Sequence, residues 1–405
     1  MAESFFIIVP FLNDFEPSSG TTIRIAGYTR GLEELGADYR FLSAVRPGYV
    51  PPEKHEPLTF SRKWIKVLLV HNLLFSKPWL RPLSAPLRFL SDNVAGIRKI
   101  SKKINDRLIW AHQENTLALY LNLRYSKSFI YDVHGFFSVQ KEYRNNLNFW
   151  RRIWFDLYEK HEKIVLKNAA YINVVSEETK LFVHKCFDPP GMILLAPDGI
   201  PGALPTYKIK GFLNRDFRLI NNIPENKKII LFAGSFKMMG GVTELVKAYL
   251  DDKKLQEIAC LVLIGKGQEE ETVSKLLRAN NPSGQVILLE SMPHNELVQV
   301  MLSADVLVCP DKKGNLYNEM TPHIKLFDAI ATGRNVVATD FMVNKRLFPE
   351  TEYNIFYFSE DGGYSLREAL HLALDNTGRI INYRALDKFT YLNHIKNYLN
   401  NFQSR

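Results

Sequence analysis

The chain has 405 residues and a mass of 46.7 kDa, with 46% hydrophobic and 23% charged residues, which excludes disorder, a collagen and a disulfide scaffold. Its three cysteines, Cys186, Cys260 and Cys309, show no C-x-x-C spacing, which argues against a zinc ribbon and for a reducing compartment. Lys plus Arg is 52 and Asp plus Glu is 43, for a net of +9; residues 1–205 hold 27 basic and 20 acidic residues, a net of +7, so the excess suits an anionic partner of the first half.

No apolar run approaches the roughly 18 residues of a membrane span. The first residues lack a basic segment and are broken by Pro10 and Asn13, so a signal peptide is not expected. Short apolar runs recur instead, and each precedes a helix-length segment. In the first half they cover 5–9, 108–111, 129–131, 172–175 and 193–196. In the second half they cover 229–233, 261–264, 286–289, 306–309, 336–338 and 355–358. Such runs fit strands covered on both faces, and their alternation with helices predicts α/β layers with parallel sheets. A Pro- and Gly-rich stretch over 197–226 reads as the connection between two doubly wound domains, 1–205 and 206–380. Residues 381–405 read as a C-terminal helix returning to the first domain.

The first loop, 13–22, joins a strand to a helix expected over 23–35. Its Ser18, Ser19 and Gly20 let backbone N–H groups approach a phosphate, or form an ordinary turn. Residues 61–105 contain ten basic residues and one acid, interleaved with Trp64, Phe75, Trp79 and Leu80. With Arg62, Lys63 and Lys66 on one side of a helix, the stretch suits an anionic membrane surface, or a packed face with solvated lysines. No nucleic-acid module is present, so no nucleic-acid partner is expected. In the second half, Gly234, Gly240 and Gly241 bracket Lys237 between a strand and a helix over 242–250. That loop reads as a diphosphate cradle or a tight turn.

The sharpest motif is NEMTPHIKLFDAIATG, residues 318–333. Thr321 is expected to cap a helix with Pro322 at its first position, ending at Gly333. Glu319 would then stand in the loop before that helix and Asp328 about two turns inside it. Two acids so placed can bind two sets of sugar hydroxyls, with free helix N–H groups between them for a phosphate. Alternatively, Glu319 caps and Lys325 pairs with Asp328 on the surface.

In order and spacing over 229–340, four stretches resemble the donor domain of retaining GT-B glycosyltransferases, glycosyltransferase family 4 (group 1). They are LFAGSFKMMGGVTELVKAY, LVLIGKGQEEE, LESMPHNELVQVMLSADVLVCP and EMTPHIKLFDAIATGRNVVATD. In the first half SSGTTIRIAGYTRGLEELGADYRFL, FIYDVHGF, AAYINVVSEETKLF and LLAPDGI match more loosely. The resemblance implies two Rossmann-like domains facing across a cleft. It also implies sugar transfer from a nucleotide-sugar to a glycan or lipid-linked hydroxyl acceptor, with retention, as in surface polysaccharide or glycolipid synthesis. On that reading Glu319 holds donor-sugar hydroxyls, Asp328 the ribose, and backbone groups of Thr321, Pro322, His323 and Ile324 the sugar and phosphate. His134 faces the donor sugar, Gly20 and Gly234 lie by the diphosphate, and the backbone at Met292 meets the base. No metal is expected, since the sequence has no Asp-x-Asp. A cytoplasmic protein, peripheral at the inner membrane face, would follow.

Two departures stand out. Eight residues separate Glu319 from Asp328 where the family has Glu-x7-Glu. Ser235 and Gly240 occupy the places of the family's diphosphate-binding arginine and lysine, leaving Lys237 and Lys325 as candidate cations. A catalytically inactive scaffold, or a basic membrane-surface protein with this core, are the competing readings.

Overall fold

A computed structural model describes residues 5–9, 20–45, 55–59, 62–75, 77–83, 86, 108–112, 129–133, 135–139, 144–145, 147–200, 214–280, 285–377 and 386–403. They form two compact units, one of residues 1–15, 28–197 and 395–405, the other of residues 16–27 and 198–394. Each is built on a parallel sheet.

In the first unit the strands are β1 (Phe5–Val9), β2 (Tyr39–Val45), β3 (His55–Thr59), β4 (Leu108–His112), β5 (Phe129–Asp132), β6 (Tyr171–Val174) and β7 (Met192–Leu195). They lie in the order β3-β2-β1-β4-β5-β6-β7, every neighbour parallel. Helix α1 spans Gly20–Glu34 and contributes its residues from Tyr28 on to this unit, with α2 Arg62–Phe75, α3 Phe149–Asn168 and α4 Glu177–Phe187. The runs read from sequence are strands within a residue or two, but β2 and β3 were not anticipated. β2 alternates a buried Tyr39 and Phe41 with an exposed Arg40, so it shows no continuous apolar run. β3 is an edge strand containing Pro57, and an edge tolerates a residue with no N–H to donate.

The stretch proposed for a membrane surface contributes α2, which buries Leu69, His71 and Asn72 and packs against α3. The packed alternative therefore holds for that face. Trp79 and Leu83 beyond it are exposed. Residues 87–107 and the side chains of Arg62, Lys63 and Lys66 lie outside the described residues, as does His134. No helix among the described residues is long and apolar enough to cross a membrane.

The second unit holds β8 (Lys228–Ala233), β9 (Ala259–Ile264), β10 (Val286–Leu289), β11 (Val306–Cys309), β12 (Asn335–Thr339) and β13 (Ile355–Phe358). Its helices are α5 (Asn214–Ile220), α6 (Val242–Leu250), α7 (Lys253–Ile258), α8 (Glu270–Asn280), α9 (His294–Met301), α10 (Leu316–Met320), α11 (Ile324–Ala331), α12 (Met342–Leu347) and α13 (Leu366–Asp375). The final helix, α14, spans Tyr391–Gln403. The sheet order is β10-β9-β8-β11-β12-β13, again all parallel. Alternate side chains serve opposite faces, and both faces are covered. Leu231, Val262 and Leu307 pack with Leu326, Phe327 and Ile330 of α11 on one side. Ile230, Phe232 and Val308 pack with Leu245 and Tyr249 of α6 and Leu370 of α13 on the other. The order reverses between β8 and β11, and a crevice at the carboxyl ends of these two strands is where such sheets bind ligands.

Candidate active site

Three loops leave the sheet at that reversal. The first follows β8, where the Gly234 N–H donates to the Ile264 carbonyl at 3.0 Å and the Phe236 N–H to the Lys266 carbonyl at 2.9 Å. These bonds stitch the glycine loop to the loop after β9. Gly241 caps α6 at φ +72°, and a Cβ there would lie 1.8 Å from the Pro310 carbonyl oxygen. Only glycine meets both demands. Lys237, at the loop's tip, is exposed and makes no ion pair among the described residues.

The second loop, after β11, departs from expectation. Thr321 does not start the helix that carries Asp328. Its N–H donates to the Tyr317 carbonyl at 3.0 Å, closing the short helix α10, whose start is capped by Asn315. Thr321 is extended, the conformation imposed on the residue before Pro322, and α11 begins only after His323. Glu319 thus sits on a helix rather than in a loop, and its Oε1 accepts from the Gly314 N–H at 2.9 Å. Thr321 and Pro322 are buried, and α11 starts with no capping side chain.

The alternative surface pair of Lys325 and Asp328 does not form. The Lys325 Nζ donates to Asp311 Oδ1 at 2.8 Å and lies 5.4 Å from the centre of the Phe232 ring. A Cβ on Gly234 would approach the Lys325 side chain to 3.9 Å, so the glycine loop and α11 adjoin. Asp328 is buried and its Oδ2 lies 2.9 Å from His294 Nε2. A cavity of ≈ 30 Å³ opens here, lined in part by Leu231, Ala233, Cys309, Lys325 and Asp328. His294 is the first residue of α9, two after Met292, whose side chain packs on the core beneath. Burial of His294 opposes its protonation, but the Asp328 hydrogen bond and charge outweigh burial and hold its pKa above the ordinary value. His323 behaves oppositely. Burial lowers its pKa, Asp311 counteracts, and Lys325 and Lys237 add to the lowering.

Sequence reasoning missed three positioning groups. Asn318 donates through Nδ2 to the Met239 and Lys312 carbonyls at 3.1 and 3.2 Å, tying the glycine loop to α10. Asp311 holds Lys325, and its place two residues past a strand end was the one readable signal. His294 carried none, because its partner lies 34 positions away.

Gly20 opens α1 and belongs to the second unit with Arg24 one turn on. Arg24 Nη1 donates to Asp198 Oδ1 at 2.9 Å, in the segment entering the second unit. The structure therefore gathers Gly20, Gly234, Lys237, Met292, Glu319, Thr321, Pro322, His323, Ile324, Lys325 and Asp328 in one unit, with the glycine loop, Lys325 and Asp328 around the reversal point. Among the described residues no group of three or more His, Cys, Asp or Glu side chains could hold a metal ion.

Residues 214–380, which lie in the second unit, match the family model described as glycosyl transferases group 1. The D-inositol 3-phosphate glycosyltransferase of Corynebacterium aurimucosum is 25% identical over 185 residues, 44% of this chain and 42% of that protein. Sucrose-phosphate synthase from Thermosynechococcus elongatus superposes with a TM-score of 0.68 at 16% identity, over 100% of both chains. Anabaena HepE, solved in complex with UDP and glucose, gives 0.63 at 12% identity over 100% of both chains. Both parallel-sheet units thus follow the GT-B fold.

Proposed function

We propose that the chain is a retaining hexosyltransferase that moves a sugar from a nucleotide-sugar to a hydroxyl acceptor, in the assembly of a surface polysaccharide or glycolipid. The observation that carries this is the meeting of the Gly234 loop, Lys325 and Asp328 where the strand order reverses, inside the group 1 domain. Asp328 takes the ribose, the start of α11 takes sugar and phosphate through backbone N–H groups, and Glu319 takes donor-sugar hydroxyls. His134 is assigned to the donor sugar. The leaving phosphate assists deprotonation of the acceptor, so no carboxylate base is assigned. The exposed Trp79 and Leu83 and the basic excess of residues 1–205 support association with an anionic membrane face.

Thermal-shift screening against nucleotide-sugars, starting with UDP-sugars because HepE holds UDP, should reveal a donor that raises Tm. NMR of the transferred sugar should then give the same anomer as the donor. If no donor shifts Tm and none is consumed, the assignment fails.

A diphosphate brings about two negative charges, and Lys325 is already paired with Asp311, so Lys237 is left to compensate them. Charge-assisted hydrogen bonds contribute about 1.5–3 kcal/mol. Lys237→Ala should therefore weaken donor binding by roughly 10- to 100-fold by calorimetry; equal affinity in variant and parent would remove this role. The same paired Lys325, with Ser235 and Gly240 in place of the family's cations, favours a non-catalytic scaffold as second reading. That reading predicts donor binding with neither transfer nor hydrolysis.

A further inference from the structure

Asp328 was expected from its motif, but the imidazole against it was not. His294 presents Nε2 to the Asp328 carboxylate at 2.9 Å, and both side chains are largely shielded, 13% and 5% exposed. They come from different elements, the first residue of α9 and the middle of α11. The Asp328 side of the pair borders the cavity at the strand reversal. Met292, two residues before His294, begins the connection into α9.

We propose that His294 is a positioning residue for the nucleotide donor: it orients the Asp328 carboxylate and, when protonated, cancels the carboxylate's charge beside the bound diphosphate. This rests on the donor-binding reading of the unit. With His294 neutral, Asp328 adds a net negative charge to a pocket that must accept an anion. With His294 protonated, the pair is neutral and the imidazolium still donates to Asp328. Donor affinity should therefore be highest at low pH and fall as pH rises through the histidine's titration.

The surrounding groups leave His294 as the switch. Lys325 from α11 is paired with Asp311 after β11 at 2.8 Å. Burial pushes the Cys309 thiol at the end of β11 up to about 12, so it stays uncharged. Glu296, on the same helix as His294, is exposed. The pKa of His294 is raised by Asp328 against burial, which moves its titration above the ordinary histidine value of about 6.5.

The test uses UDP-glucose and GDP-mannose, whose diphosphate diesters do not titrate near neutrality. Calorimetry from pH 5.5 to 9 should show wild-type affinity for the donor that binds falling about tenfold, while His294→Gln, which keeps an N–H donor without the charge, shows no such fall. Linkage requires the reciprocal effect, so binding should raise the imidazole's NMR titration midpoint by about one pH unit in the wild type. That second measurement needs no variant. Parallel pH profiles in wild type and His294→Gln, with an unmoved midpoint, would overturn the inference and leave the donor reading intact. If neither these two nucleotide-sugars nor any other in the thermal-shift screen binds at any pH although His294 titrates with a raised midpoint, the donor reading itself fails and the inference falls with it.

Discussion

Glu319→Ala is expected to lower kcat/KM for sugar transfer at least about tenfold, the usual minimum for losing an interaction made in the transition state. The fold should survive, because the lost Gly314 contact is one hydrogen bond on a partly exposed side chain, contributing roughly 1 kcal/mol. That contact makes the glutamine variant informative. Glu319→Gln keeps an acceptor for the Gly314 N–H but loses the charge. Activity restored by glutamine would assign Glu319 a structural part in holding the turn before α10. Activity absent in both, with donor binding retained, would assign the carboxylate to the reacting sugar. Wild-type kcat/KM in Glu319→Ala, measured with saturating acceptor, would move the role to another residue.

The second unit was readable because its central strands are buried on both faces. Ile230, Leu231 and Phe232 are all inside, so every residue of the run had to be apolar and the pattern was continuous. Edge position erased that signal for β3, where Pro57 and polar residues are tolerated. At the site, residue identities were legible but their partners were not. Lys325 and Asp328 are neighbours on one helix, yet each is claimed by a residue elsewhere in the chain, Asp311 and His294. Local spacing gives the i,i+3 option, and tertiary packing decides between it and a better desolvated partner. Helix starts failed for a similar reason. Thr321-Pro322 satisfies the rule for opening a helix, but Asn315 had already nucleated α10, and the Thr321 N–H was spent closing it.

Arg24→Ala should strongly destabilise the second unit. Arg24 and Asp198 meet at 2.9 Å with side chains only 1% and 11% exposed. Removing one partner of a buried pair leaves the other charge in a poorly solvated place without that compensation, which costs about 3–5 kcal/mol. Burial pushes up the Tyr317 hydroxyl of α10, and the Asp198 charge adds to the rise while Arg24 opposes it. The double variant Arg24→Ala/Asp198→Ala should recover part of the loss, since removing both charges also removes the carboxylate that Arg24 compensates. Urea denaturation of the single and double variants measures this as a coupling of at least about 1 kcal/mol. Additive effects, or Arg24→Ala within about 0.5 kcal/mol of wild type, would mean that the pair contributes little. Gly20 lies one turn before Arg24 on the same helix, so an unanchored α1 start should also weaken donor binding. Asp198→Asn should weaken it less, because the amide oxygen still accepts from Nη1. Such a graded series would tie the helix that starts at Gly20 to the donor site through one buried guanidinium.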